Sequence, residues 1–229
     1  MVNALFFDLS DTLQDFDWQV QWRLFIPIVE KELKLKIEPE SFRQKYQQCY
    51  ESYRLGWLSN DTEFFELLFR QLGFNASKKQ VSRIAKKHLQ IRAKFTKLPK
   101  DYKKTLKELR KSFKLAVVSS GVAPWGYYDF KSIFGFDFKK DFDAVFFSSE
   151  KGFLKESGEL FKLALKKFSL KPSQAAFVGN SYCDDALLAK SFGLKAVFLN
   201  RKREPKGKAD LEIKELRGLL EIKEKLKSL

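Results

Sequence analysis

The chain has 229 residues, 44% of them apolar and 32% charged, with a formal net charge of +15. That is enough apolar material for a buried core and too much for a disordered chain, and no apolar run approaches the roughly 18 residues that span a bilayer. Two cysteines and one histidine exclude a disulfide framework and a Cys/His zinc cluster, and two acids inside the first apolar run speak against a secretory leader, so a cytoplasmic protein is expected.

In chain order, Ala4-Leu5-Phe6-Phe7 is a short apolar run that ends at Asp8. Residues 16–94 then carry apolar side chains three and four apart (Phe25, Ile28, Val29, Leu33; then Phe64, Phe65, Leu68, Leu72), the period of helices. Breaks fall at Glu38-Pro39-Glu40, Gly56, Ser59-Asn60-Asp61 and Gly73 to Ser77, and Ser59 to Glu63 offers N-cap residues for a helix start. After Pro99 the pattern changes. An amphipathic helix is predicted over 101–112, a strand at Leu115–Val118, a strand at Ala144–Phe147 and a helix over 157–168. A strand at Ala175–Val178, a helix over 184–192 and a strand at Ala196–Leu199 complete the series. Uniformly apolar strands separated by helices are what a parallel sheet buried on both faces requires. The predicted fold is therefore α/β, a doubly wound, Rossmann-like core over residues 1–14 and 97–229, split after its first strand by an all-helical cap at 15–96. No repeat of fixed period is present, and the nearest thing to a biased segment is the basic loop 201–208.

Ligands of such sheets bind beyond the carboxyl ends of the strands, so the segments just after the strands are the ones to inspect. They are Asp8-Leu9-Ser10-Asp11-Thr12-Leu13, Ser119-Ser120-Gly121, Ser148 to Lys155, and Gly179-Asn180-Ser181-Tyr182-Cys183-Asp184-Asp185. Carboxylates, hydroxyls, an amide and a lysine thus converge on one end of the sheet. A Ser–His–Asp arrangement is not available, because the lone His88 lies in the helical insert. A carboxylate nucleophile is available. Clustered carboxylates repel unless a cation joins them, and an oxygen-rich set suits Mg²⁺.

The motifs FFDLSDTL, LAVVSSG, SEKGFLK and FVGNSYCDDALLA, in this order and followed by Asn200-Arg201, resemble those of the haloacid dehalogenase (HAD) superfamily with a helical cap after the first motif. The resemblance runs over almost the whole chain. It implies that Asp8 is the nucleophile that becomes covalently modified, that Thr12 and Ser119 position the transferring group, and that Lys155 orients and neutralises. Ser10, Ser120 and Gly121 are the expected substrate-binding positions, and Asp8, Ser10, Asn180 and Asp185 the expected Mg²⁺ site, with Asp184 as the alternative to Asp185. The chain also departs from the family. Ser10 stands where phosphatases carry an acid, Asn180 where an Asp is usual, and Glu156 where Pro usually follows the lysine. The dehalogenases carry Tyr where this sequence has Ser10 and Phe161. The resemblance therefore implies first a slow, Mg²⁺-dependent phosphatase of a small phosphorylated metabolite. Its alternatives are a metal-free 2-haloacid dehalogenase-like hydrolase and a catalytically weak binding protein.

In the insert, Tyr46, Tyr50, Tyr53 and Trp57 are spaced four, three and four apart, a stripe expected to pack between helices with its exposed end at the substrate cleft. Arg23 and Arg54 are the candidate contacts for an anionic substrate there, and His88 is expected to be half-buried structure. Cys183 has no visible base or partner cysteine and is given no redox role. Residues 76–112 carry 14 basic side chains against Asp101 and Glu108, whereas residues 1–75 are net negative. The cations are spread over two predicted helices and accompany no nucleic-acid motif, so a solvated face is expected rather than nucleic-acid binding. A small anionic substrate is the expected partner, with no membrane association and a monomer or homodimer as the assembly.

Overall fold

The first strand, β1 (Ala4–Phe7), is buried along its whole length at the centre of a six-stranded sheet. The computed structural model describes residues 1–135, 137–203 and 207–229, so the segment 204–206 of the basic loop lies outside the described residues. After β1 the chain passes through a two-residue strand β2 (Asp15–Phe16) into four helices, α1 (Trp18–Leu33), α2 (Pro39–Arg54), α3 (Asp61–Gln71) and α4 (Lys78–Phe95). It returns through β3 (Thr96–Lys97), which pairs antiparallel with β2 and so straps the two ends of the insert together. The helix starts follow local chemistry. Asp17, Asn60 and Ser77 accept backbone amides of the first turns as N-caps, and Ser77 with Gln80 forms a capping box.

The remaining strands are β4 (Lys114–Ser119), β5 (Ala144–Phe147), β6 (Ala175–Gly179), β7 (Lys195–Leu199) and β8 (Leu211–Ile213). All pair in parallel in the order β5-β4-β1-β6-β7-β8. The order reverses beside β1, and this places the crevice between the ends of β4, β1 and β6. Alternate residues feed two apolar layers. Leu5, Phe7, Leu115 and Val117 join one buried cluster, and Ala4, Phe6, Ala116 and Val118 join another on the opposite face.

The helices between these strands are α5 (Tyr102–Leu109), α6 (Ala123–Phe134), the short α7 (Ser148–Lys151) and α8 (Glu159–Phe168). A π-helical segment at Tyr182–Leu187 runs into α9 (Leu188–Ser191), where the spacing predicts one helix over 184–192. The chain ends in α10 (Gly218–Glu221) and α11 (Lys223–Ser228). Helix α6, for which no range is predicted, accommodates both a proline and a glycine. Pro124 sits in the first turn, where the missing amide is harmless. Gly126 is required by contact, because a Cβ there would stand 2.8 Å from the Phe147 ring.

The insert has its own apolar cluster, which includes Phe25, Tyr46, Tyr53, Phe64 and Phe65 but is completed by Val122, the N-cap of α6, and Trp125 within it. Tyr46 and Tyr53 are buried as the stripe predicts, while Trp57 is 74% exposed. His88 is not half-buried but fully enclosed, with its Nε2 2.8 Å from both the Gln21 amide nitrogen and the Tyr46 hydroxyl. Burial, reinforced by Arg92, holds its pKa well below the ordinary histidine value.

Candidate active site

Each functional side chain is delivered by a strand end. Asp8 follows β1, and its amide still extends the ladder by donating to the Val178 carbonyl at 3.0 Å. The chain then turns at once, with the amides of Thr12, Leu13 and Gln14 all converging on the Leu9 carbonyl. Asp11 adopts a left-handed backbone (φ 57°) within this turn. Ser119 ends β4 and is buried, and Ser120 and Gly121 continue past it. Lys155 lies on the loop after α7, where its backbone amide donates to the Ser120 hydroxyl at 2.7 Å. The Ser120 hydroxyl donates in turn to Glu156 at 3.2 Å.

The Lys155 ammonium joins two strand ends. It donates to Asp8 at 2.8 Å and to Asp185 at 2.5 Å, with all three side chains buried. Asp185 reaches this position because residue 179 is glycine, as a Cβ there would fall 2.3 Å from the Asp185 carboxyl carbon. Its second oxygen accepts the Ser181 amide at 2.9 Å. Asp184, the alternative, is exposed and bonds Ser181 instead. Thr12 donates its hydroxyl to the Asn180 side-chain oxygen at 2.9 Å, which closes the gap between the ends of β1 and β6.

Burial pushes the Asp8 carboxyl up to about 6; Lys155 opposes this and the Asp185 charge adds to it. Burial alone would lower Lys155, but the two carboxylates outweigh it and hold the ammonium above its ordinary value. A carboxylate in this setting keeps a charge that is only partly neutralised, a condition under which carboxylates can act as nucleophiles. The Asp8 and Asp185 carboxylates and the Asn180 amide oxygen are all oxygen donors, the chemistry that suits Mg²⁺. Among the described residues there is no group of three or more His, Cys, Asp or Glu side chains placed to hold a metal. A magnesium ion held by the Asp8 and Asp185 carboxylates and the Asn180 amide oxygen would need further oxygens from substrate or water, which that ion commonly keeps.

Asp8, Thr12, Ser119, Lys155, Asn180 and Asp185 are therefore brought together from four separate segments, and Ser10, two residues after Asp8, is exposed. The two insert cations named from sequence differ in their settings. Arg23 is exposed, and Arg54 is paired with Glu51 at 2.5 Å. The buried cation of the insert is instead Arg92, which donates to Asp129 of α6 at 2.7 Å beneath the rings of Phe16 and Trp125. Its place in a basic, amphipathic run masks it, and only an unmatched cation on the apolar side of α4 could have signalled it.

The chain has full-length likenesses to known proteins. The chain is 26% identical to a glyceraldehyde 3-phosphate phosphatase of Methanopyrus kandleri, over 97% of each sequence. In structure it resembles a 2-haloacid dehalogenase of Pseudomonas syringae (TM-score 0.72, 20% identity, 98% of this chain and 99% of that one). It also resembles a HAD family enzyme of Bacteroides thetaiotaomicron in complex with magnesium and inorganic phosphate (TM-score 0.65, 18% identity, 92% of this chain and 97% of that one). The family profile of haloacid dehalogenase-like hydrolases matches residues 2–193, a span that runs from β1 to the helix after β6 and holds every residue of the cluster. That match covers well over half of the sequence, and the chain belongs to the haloacid dehalogenase-like hydrolases.

Proposed function

We propose that the protein is a phosphatase of a small phosphorylated metabolite that works through an aspartyl-phosphate at Asp8. The observation that carries this reading is the buried Lys155 ammonium shared between Asp8 and Asp185, supported by full-length similarity to a glyceraldehyde 3-phosphate phosphatase. The Asp8 carboxylate attacks phosphorus, the bond from phosphorus to the leaving oxygen breaks, and water later attacks the same phosphorus to free Asp8. Lys155 keeps Asp8 oriented and offsets the negative charge of the phosphoryl group as it transfers. Thr12 and Ser119 present hydroxyls to the phosphoryl oxygens. Asp8, Ser10, Asn180 and Asp185 would hold Mg²⁺, which when bound supplies positive charge against those oxygens. The four helices of the insert form the cap that closes over the phosphorylated end and excludes water.

Ser10 sets the pace. An acid at that position would protonate the leaving group and activate the water, help typically worth about 10² to 10⁴-fold. A serine hydroxyl has no usable proton affinity near neutral pH. The enzyme is therefore slow, prefers substrates with good leaving groups and accumulates phosphorylated Asp8. The test is a panel of phosphomonoesters and a 2-haloacid, each with and without Mg²⁺, on wild type, Asp8→Asn and Ser10→Asp. Mg²⁺-dependent phosphate release that vanishes in Asp8→Asn, with faster phosphoenzyme decay in Ser10→Asp, is expected. Chelator-resistant halide release, or phosphate release that survives in Asp8→Asn, overturns the reading.

A further inference from the structure

We infer that Arg201 is a positioning residue for the catalytic turn, holding the backbone from which Ser10 and Thr12 are presented; the inference rests on the phosphatase reading for its kinetic consequence only. Arg201 stands two residues beyond β7, and the intervening Asn200 is buried and fastened by its amide to the Ile213 carbonyl at 2.8 Å. From this rigid base the guanidinium reaches back across the strand ends. Its Nη1 donates to the Asp11 carbonyl at 2.7 Å and to the Asp15 carboxylate, and its Nη2 donates to the Thr12 carbonyl at 3.0 Å. One side chain thus grips two consecutive carbonyls of the catalytic turn and the strand β2 through which the helical insert is attached.

The turn needs such a grip. Asp11 is held at φ 57°, a conformation that costs a side-chain-bearing residue and that glycine adopts freely. The turn's own amides converge on Leu9, and the Asp11 amide donates to Gln14 at 2.6 Å. Arg201 acts on the other edge of the turn, the carbonyls. Through the Thr12 backbone it sets the hydroxyl that donates to Asn180 at 2.9 Å. A planar fork suits this triple contact, whereas a lysine ammonium could keep the charge but not the two-carbonyl geometry. If Arg201 only made a partly exposed ion pair with Asp15, it would contribute little.

The experiment compares wild type, Arg201→Met, Arg201→Lys, Asp15→Asn and the double variant Arg201→Met with Asp11→Gly. Kinetics with the best phosphomonoester and amide hydrogen exchange of residues 10–14 are measured on each. A misplaced catalytic group of this kind lowers kcat about ten- to a hundredfold. That loss is expected in Arg201→Met with KM little changed, is only weakly relieved in Arg201→Lys, and is absent in Asp15→Asn. Glycine at position 11 removes the strain that Arg201 opposes, so the double variant recovers most of the lost kcat. Wild-type kcat in Arg201→Met, or a loss that Asp11→Gly leaves untouched, overturns the inference. Should wild type release no phosphate at all, the functional reading falls. Exchange then decides the positioning role, with faster exchange over 10–14 in Arg201→Met supporting it and unchanged exchange refuting it.

Discussion

Arg92 in the helical insert faces a single buried acid, whereas Lys155 at the strand ends is shared between two. The Arg92–Asp129 pair cancels its own charge, and rings of Phe16 and Trp125 cover the guanidinium within about 5 Å. The pair joins α4 to α6. The Asp8–Lys155–Asp185 group retains one net negative charge when all three side chains are ionised, and Asp8 is pushed up to about 6. One buried cation is matched and structural; the other is outnumbered, and the excess charge is what makes its surroundings receptive to a cation or a phosphoryl group.

This contrast is open to direct attack. Removing Arg92 strands Asp129, which has no solvent exposure, so Arg92→Ala is expected to lose about 3–5 kcal/mol of stability. The apolar pair Arg92→Met with Asp129→Leu should regain most of that in urea unfolding, and failure to do so would mean that the pair is more than a fastening. Lys155→Gln should show the opposite balance, with kcat falling about 10² to 10³-fold and stability falling less than in Arg92→Ala. The reason is that the strand-end acids can take up a proton when their cation is lost. If Lys155→Gln unfolds the protein while Arg92→Ala does not, the assignment of roles is reversed.

The smallest effect sharpens the insert side of the comparison. His88 is neutral in the folded protein because its pKa is depressed there, while the unfolded chain titrates near 6.5. Stability contributed by the neutral ring is full above about pH 6.5 and declines as pH falls, by at most about 1.4 kcal/mol per pH unit. Buried acids with raised pKa values, such as Asp61, act in the opposite direction, so the difference between wild type and His88→Gln isolates the histidine. Equal slopes below pH 6 in the two proteins would refute the assignment.

The site was legible in the sequence to the extent that it depends on order along the chain. Asp8, Ser119, Lys155 and Asp185 each come after an apolar strand, and a parallel sheet carries every strand end to the same edge. What escaped depends on distant packing. Trp125 and the Arg92–Asp129 pair acquire meaning only when α4 and α6 meet, and no local period marks a residue for contact with an element far along the chain. The hydrogen bonds of Arg201 escaped for the same reason, since its partners lie 186 to 190 residues earlier.

Trp125 has a consequence for how the molecule melts. Its ring lies inside the aromatic interior of the insert, edge-on to Phe64 and Tyr53 and flat against Tyr50, and its indole nitrogen donates to Asp61 at 2.7 Å. Because that residue grows from a helix of the sheet domain, neither half can come apart without opening a hole in the other. Heat or urea should therefore dismantle both halves in one cooperative transition, and a fragment of the insert alone would lack the ring around which its interior is packed.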